Sequence, residues 1–186
     1  MSSGGDDSKP PADVAEIEQR ALAKLTPEVK TFIQQGTGQS LTVRENREAF
    51  DRWRFLPKVL SGAPERRAEV VLLGRTVSMP VGVAPTAAHS IVHPDSEAAV
   101  ARAAQEARTV MVVSIVSSTP LEDVAAAAGR DAVLWAQLDI RKDRSLTLDD
   151  ALRAQRSGFA ALVVSLDPPL IGRRTRNAEP QPFGEM

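Results

Sequence analysis

The sequence predicts an α/β fold with a parallel sheet, because apolar runs rich in β-branched residues alternate with helical stretches from residue 80 onward. The predicted strands start roughly 22 to 30 residues apart, which is the rhythm of βαβ units. Nearly continuous apolar runs are typical of strands that are covered on both faces. The four runs are "PVGVAPT" (80–86), "TVMVVSIV" (109–116), "AVLWAQLDI" (132–140) and "ALVVSLD" (161–167).

The stretches between these strands predict helices. They are rich in Ala or Leu, and the last two close at Gly129 and Gly158, where a helix C-terminus favours glycine. About four βα units therefore occupy residues 80–186. The helical stretches are "DSEAAVARAAQEA" (95–107), "TPLEDVAAAAG" (119–129) and "LTLDDALRAQRSG" (146–158).

Residues 12–79 predict a helical segment that precedes the sheet and ends in a short hairpin at 69–79. Residues 1–11, "MSSGGDDSKPP", are small, acidic and proline-ended, and we expect them to be disordered. In the first helix the apolar residues recur every three or four positions, at Val14, Ile17, Ala21 and Leu25.

The second and third helices of this segment carry start signals. Thr26 is expected to cap the second helix, with Pro27 in its first turn. Thr42 is expected to cap the third, because Glu45 follows it in the register of a capping box.

Composition limits the classes of function. With 186 residues, 42% apolar and 25% charged, the chain is expected to be globular. Its net charge of −1, from 23 basic and 24 acidic residues without a cluster, predicts no binding to nucleic acid or anionic lipid. It has no Cys and no metal-ligand spacing, so no metal site is expected. Without an apolar run of about 20 residues or a signal peptide, it is predicted to be soluble and cytoplasmic.

Two parallel folds compete for this pattern. A doubly wound sheet predicts a G-x-G-x-x-G turn after its first strand, and "APTAAHSIVHP" has none. A (β/α)8 barrel requires polar residues at the carboxyl ends of its strands, where barrel active sites lie. The sequence favours the barrel, because such residues follow all four strands: Thr86; Ser114, Ser117 and Ser118; Gln137 and Asp139; and Ser165 and Asp167.

The same segments carry a family resemblance. "SLTVRENREAFDRWRFLPKVL", "LLGRTVSMPVGVAPTAAHSIVHPDSEAAVARAA", "SIVSSTPLEDVAAAA", "WAQLDIRKDR" and "LVVSLDPPLIGRRTRN" together resemble the FMN-dependent α-hydroxy acid oxidases and dehydrogenases, such as glycolate oxidase and lactate oxidase. The resemblance implies the N-terminal half of a (β/α)8 TIM barrel. It also implies oxidation of a 2-hydroxy acid to a 2-keto acid, with a hydride equivalent passing to N5 of FMN.

The resemblance assigns the flavin contacts. In the family the flavin ring rests on the backbone after the first strand, here Ala84, Pro85, Thr86 and Ala87. Polar side chains from the next three strands contact it, here Ser114, Gln137 and Ser165, the last replacing a usual threonine. For Thr86 and Gln137, ordinary internal hydrogen bonding stays an alternative to ligand contact.

The substrate-side residues depart from the family pattern. A Tyr-Tyr pair on the N-terminal helix reads Phe32-Ile33 here, and Asp139 stands where a second tyrosine follows the third strand. The chain contains no Tyr, so it offers no phenol for a substrate carboxylate, which Asp139 would repel.

Asp167 matches the aspartate that orients the family's catalytic histidine. That histidine belongs to the second half of the barrel, with a lysine, an arginine and the phosphate site, and all four lie beyond Met186. The nearby His89 and His93 are expected to face solvent or approach a helix rather than to act in catalysis. Arg173 and Arg174 match a loop pair in which Arg174 is a possible substrate contact.

Half of a barrel exposes two strand edges and an apolar inner face. We expect a second polypeptide that supplies strands five to eight, or a homodimer of half-barrels, and expect the chain alone to be inactive, with doubtful flavin binding. The alternative is a non-catalytic, truncated homologue that acts in binding or assembly. An aldolase or isomerase barrel without flavin is weaker, because no Lys or His lies at the strand ends.

Overall fold

A computed structural model of the chain describes residues 9–60, 62 and 65–167. They belong to two compact units, and the chain passes from the first unit to the second between residues 58 and 59. The first unit holds three helices: α1 (Val14–Lys24), α2 (Pro27–Gln34) and α3 (Leu41–Asp51).

The starts of α1 and α2 follow from side-chain caps. The Asp13 carboxylate accepts a hydrogen bond from the N–H of Glu16 at 2.8 Å, and the Thr26 hydroxyl accepts one from the N–H of Val29 at 3.4 Å. Each cap pairs an N–H that the helix itself cannot satisfy. The predicted Thr26 cap is confirmed.

The predicted capping box of α3 is wrong. The helix starts at Leu41, before Thr42, and the preceding Ser40 has a left-handed φ of 56° with no side-chain bond to the helix. The Ser40 hydroxyl instead accepts a hydrogen bond from the N–H of Gly36 at 3.2 Å. The Ser40 hydroxyl thus bonds to the loop before α3 and does not cap the helix.

The apolar stripe predicted for α1 is not covered. Val14 is 79% exposed and Ile17 is 49% exposed, and no residue of α1, α2 or α3 is fully buried. An exposed pair, Arg47 and Glu18 at 3.0 Å, links α3 to α1. Such a pair contributes less than about 1 kcal/mol.

The second unit contains the hairpin and the parallel sheet. Strands β1 (Val70–Leu72) and β2 (Arg75–Val77) pair antiparallel, as the sequence predicts. Their two-residue turn, Leu73-Gly74, has positive φ at both positions, which suits the twist of a hairpin.

The sheet comprises three parallel strands in the order β3-β4-β5. They alternate with helices α4 to α6, so the predicted α/β fold is confirmed. A short 3-10 turn, His89–Ile91, precedes α4. The strands are β3 (Val110–Val113), β4 (Val133–Asp139) and β5 (Ala161–Ser165), and the helices are α4 (Ser96–Glu106), α5 (Leu121–Ala128) and α6 (Arg144–Arg156).

The first predicted strand, 80–86, forms only one bridge, between Val83 and Met111. The Val83 N–H donates to the carbonyl of Val110 at 2.8 Å, and its carbonyl accepts from the N–H of Val112 at 2.9 Å. Prolines at positions 80 and 85 lack the N–H groups that a longer ladder needs. The segment lies beside β3 where a first strand belongs, but without a strand's length.

The core lies between the sheet and its helices. Side chains of β4 alternate: Leu134, Ala136 and Leu138 are buried towards the helices, whereas Trp135 and Gln137 are half-buried on the opposite face. Alanines bring the helices close to the sheet, because a small side chain permits close packing. They are Ala101, Ala104, Ala128 and Ala154. No helix among the described residues is long and apolar enough to cross a bilayer.

Replacing Gly82 by alanine should weaken the first bridge. An added Cβ would lie 2.5 Å from Val110 Cγ1 and 3.0 Å from the Val110 carbonyl oxygen, so Val110 must shift. We expect Gly82→Ala to lower the free energy of unfolding by about 1–3 kcal/mol, measured by urea denaturation. The control adds Val110→Ala, which removes the methyl clash and should cost less in this background than in wild type. Unchanged stability of Gly82→Ala would contradict this packing.

Candidate functional site

Gln137 and Ser165 meet at the carboxyl ends of β4 and β5. Gln137 Nε2 donates to Ser165 Oγ at 2.9 Å, and Gln137 Oε1 accepts from the N–H of Ile115 at 3.2 Å. Both ends of the amide are therefore used, which fixes its orientation. Gln137 joins the ends of all three strands into one polar network.

Ser114 lies at the end of β3, next to this network. It is 5% exposed, and its hydroxyl accepts a hydrogen bond from the N–H of Val116 at 3.1 Å. Its carbonyl accepts from the N–H of Ser117 at 3.1 Å, which closes a tight turn. The hydroxyl proton of Ser114 has no acceptor within the part of the chain that the structure describes.

The predicted flavin platform, residues 84–87, is an exposed stretch of small side chains and one proline. Its only side-chain hydrogen bond among the described residues is a local one, from Thr86 Oγ1 to the Ala84 carbonyl at 3.3 Å. The stretch is anchored just after its end, where the Ala88 N–H donates to the Val116 carbonyl at 3.1 Å. A flat ligand could lie against this backbone, because the side chains of the stretch are small and the stretch is exposed.

Asp167 is exposed two residues beyond β5 and makes no hydrogen bond or ion pair to another described residue. Arg174 lies outside the described residues. Asp139 is exposed at the end of β4, in register with Ser165. The structure thus brings the predicted cofactor residues of β3 to β5 together and leaves Asp167 without a described partner.

Both histidines make hydrogen bonds at the start of α4. The His89 N–H donates to Glu97 Oε1 at 3.1 Å, and His93 Nδ1 accepts from the N–H of Asp95 at 3.1 Å. Neither imidazole is linked to Gln137 or Ser165 in the described structure.

Glu97 is not among the predicted site residues. This residue lies in the first turn of α4 and is completely buried. Its Oε1 also accepts from the N–H of Ser118 at 2.9 Å, and its Oε2 accepts from the hydroxyls of Thr119 at 2.9 Å and Ser96 at 2.5 Å. A helix-starting acid is ordinarily a solvated partner of the helix dipole, so the sequence contained no signal for burial.

Burial alone would raise the pKa of Glu97. Hydrogen bonds from the Ser96 hydroxyl and from the N–H groups of Ser118 and His89 outweigh it and lower the pKa from 4.5 to about 2. The carboxylate is therefore ionised at neutral pH despite its burial.

A parallel sheet with polar side chains gathered at its carboxyl edge is the arrangement of (β/α) barrel enzymes. The family model described as "FMN-dependent dehydrogenase" matches residues 21–183. The chain belongs to this family, and the resemblance drawn from its sequence is confirmed.

Similar proteins and solved structures support the same family. The chain is 40% identical to glycolate oxidase 2 of Oryza sativa subsp. indica and 35% identical to glycolate oxidase 3 of Arabidopsis thaliana, covering 87% of this chain and 44% of either relative. A mandelate oxidase structure superposes with a TM-score of 0.83 at 34% identity, covering 89% of this chain and 47% of that one. A mandelate oxidase mutant solved with the C4a-OH-FMN adduct gives 0.79 at 34% identity, over 86% and 47%. The chain thus spans about half the length of these proteins, as a partial TIM barrel.

Replacing Gln137 by methionine tests the network. Methionine keeps the volume but leaves the Ile115 N–H and the Ser165 hydroxyl without their partner, at a cost of about 1–3 kcal/mol. Amide exchange at Ile115 should accelerate, as followed by NMR, while Ala136 on the same strand stays protected. Ser165→Ala is the control, because it removes one bond and spares Ile115. Equal protection of Ile115 in wild type and Gln137→Met would contradict the network.

Glu97 should make stability fall in acid. Its folded pKa of about 2 lies below the ordinary 4.5, so its contribution is complete above pH 4.5 and is lost as the pH falls towards 2. Between about pH 6 and pH 3, the free energy of unfolding should therefore fall by about 2 kcal/mol more in wild type than in Glu97→Gln. Urea titrations at each pH measure it. Parallel pH profiles for wild type and variant would contradict the lowered pKa.

Proposed function

We propose that this chain is the flavin-facing half of an FMN-dependent oxidoreductase that converts a 2-hydroxy acid to a 2-keto acid. The observation that carries the proposal is the Gln137 network, which joins the ends of β3, β4 and β5 beside an uncovered backbone platform. These are the residues that the family resemblance assigns to the cofactor. In this proposed protein, residues 12–79 form a helical segment with a short hairpin, and residues 80–186 form the half-barrel.

The residues present fit FMN. An isoalloxazine ring needs a flat apolar surface and hydrogen-bonding groups at its polar edge. The exposed stretch 84–87 offers the surface, and Ser114 still has a hydroxyl proton to donate. FMN, when bound, accepts the hydride equivalent at N5. The residues that would hold it are Ala84, Pro85, Thr86, Ala87, Ser114, Gln137 and Ser165.

The exposed side chains of β5 support the proposal that further protein packs against this strand. Leu162 and Val164 are 47% and 44% exposed, although they pair in register with the buried Ala136 and Leu138 of β4. The indole N–H of Trp135, on the other face, is buried without an acceptor among the described residues. A further strand and helix would cover Leu162 and Val164.

We infer that strands five to eight come from a second polypeptide, with a homodimer of half-barrels as the alternative source of cover. The second polypeptide accounts better for Asp167, because it brings the histidine that this carboxylate would orient, with the arginine and the phosphate site. Arg174 is a further candidate for substrate contact. A cytoplasmic location remains a prediction.

A non-catalytic role is the second candidate. The chain contains no Tyr, and the two positions where the family places substrate-binding phenols hold Phe32 and Asp139. A homologue that lost its substrate site could retain the fold for binding or assembly. Substrate oxidation separates the two candidates.

Flavin absorbance tests the proposal. The chain is purified alone and with a second polypeptide that carries strands five to eight, and the absorbance near about 450 nm is recorded before and after anaerobic addition of 2-hydroxy acids. A yellow complex that bleaches with substrate supports the oxidoreductase, and the matched Gln137→Met complex should bind less FMN. A yellow complex that no 2-hydroxy acid bleaches favours the non-catalytic homologue. Colourless protein in both preparations contradicts flavin binding.

Removing the charge of Asp139 should improve substrate binding in that complex. The exposed carboxylate repels an anionic 2-hydroxy acid by about 1 kcal/mol at contact distance in water. Asp139→Asn should therefore lower KM about fivefold with little change in kcat. Asp131→Asn, at the opposite end of β4, is the control and should change neither. An unchanged KM in Asp139→Asn would remove Asp139 from the substrate site.

A further inference from the structure

Glu97 is a buried, ionised side chain that is not among the residues proposed to hold FMN. Burying a carboxylate costs several kcal/mol unless it is fully hydrogen-bonded. Glu97 meets this condition with four donors, two N–H groups and two hydroxyls. A core position at the start of a helix could be filled by an apolar residue at lower cost, so the carboxylate needs an explanation of its own.

Three of the four donors come from two different loops, and the fourth, Ser96, belongs to α4 itself. His89 belongs to the turn that follows the platform 84–87, whereas Ser118 and Thr119 belong to the loop that follows β3. Both N–H groups bind the same oxygen, Oε1, at 3.1 and 2.9 Å. One carboxylate oxygen thus fixes the separation of the two loops.

Within the described residues, two hydrogen bonds join the loops directly. The Ala88 N–H donates to the Val116 carbonyl at 3.1 Å, and the Ser90 N–H donates to Ser118 Oγ at 3.2 Å. Ala88 has a left-handed φ of 54°, a conformation that costs a residue with a Cβ roughly 1 kcal/mol or more. Its neighbours must therefore hold it, and the strained residue directly follows the platform.

We propose that Glu97 is a positioning residue that ties the platform loop to the loop after β3 and so holds residues 84–87 and Ser114 in register for the flavin. It touches neither substrate nor cofactor. Its effect on FMN rests on the proposed function, whereas its tie between the loops does not.

The two halves of this claim are tested with matched variants of the full chain. Glu97→Ala removes the tie, while Glu97→Gln retains an oxygen for both N–H groups, and the Ser96 and Thr119 hydroxyls can turn to accept from its NH₂ group. Glu122→Gln, on the surface of α5, is the control. Amide exchange by NMR should be at least about tenfold faster at His89 and Ser118 in Glu97→Ala, with the β4 amide of Ala136 unchanged and Glu97→Gln within about threefold of wild type.

Flavin affinity is then measured by fluorescence quenching in the complex that binds FMN. Glu97→Ala should weaken FMN binding about tenfold, and Glu97→Gln should bind FMN nearly as tightly as wild type.

Each part of the proposal has an outcome that contradicts it. Unchanged amide exchange at His89 and Ser118, or equal acceleration at Ala136, would show that Glu97 does not tie the two loops together. Unchanged FMN affinity would show that Glu97 does not position the flavin site. If Glu97→Ala does not fold, Thr119→Val decides, because it removes one hydrogen bond and should accelerate exchange at Ser118 about threefold. If wild type binds no FMN in any assembly, the proposed function fails, while the exchange result still decides the tie.

Discussion

The open side of β5 is the constraint on which the proposed function depends. A parallel sheet is stable when helices cover its faces and strands pair with its edges. Here α4, α5 and α6 cover β3 and β4, but Leu162 and Val164 on β5 remain half-exposed in register with buried residues of β4. The half-barrel therefore has a hydrophobic core, but the side chains of β5 on the helix-covered face of the sheet are only partly covered.

The polar residues at the carboxyl edge divide into two groups. Gln137 bonds to Ser165 and to the N–H of Ile115, and so joins the ends of β3, β4 and β5, while the hydroxyl of the neighbouring Ser114 accepts from the N–H of Val116. Asp139 and Asp167 are exposed and unpaired among the described residues. The polar network is therefore complete within this chain, whereas in the proposed function Asp139 and Asp167 act together with groups from further protein.

Periodicity and turn chemistry predicted most of the fold. The strands after residue 109 and the closing glycines at 129 and 158 follow from local rules, and both glycines have positive φ. Two features did not follow. The segment 80–86 reads as a strand but pairs through Val83 alone, because pairing depends on a neighbour distant in sequence. Glu97 reads as a solvated helix-starting acid, and only the meeting of two remote loops shows why it is buried.

Mapping where FMN binds tests the central claim most directly. Hydrogen–deuterium exchange of the assembled complex, with and without FMN, should show new protection at residues 84–87 and 114–117, with little change across α5 and α6. Protection confined to the groove beside Gly129 and Gly158, at the opposite end of the sheet, would contradict a flavin site built on the Gln137 network.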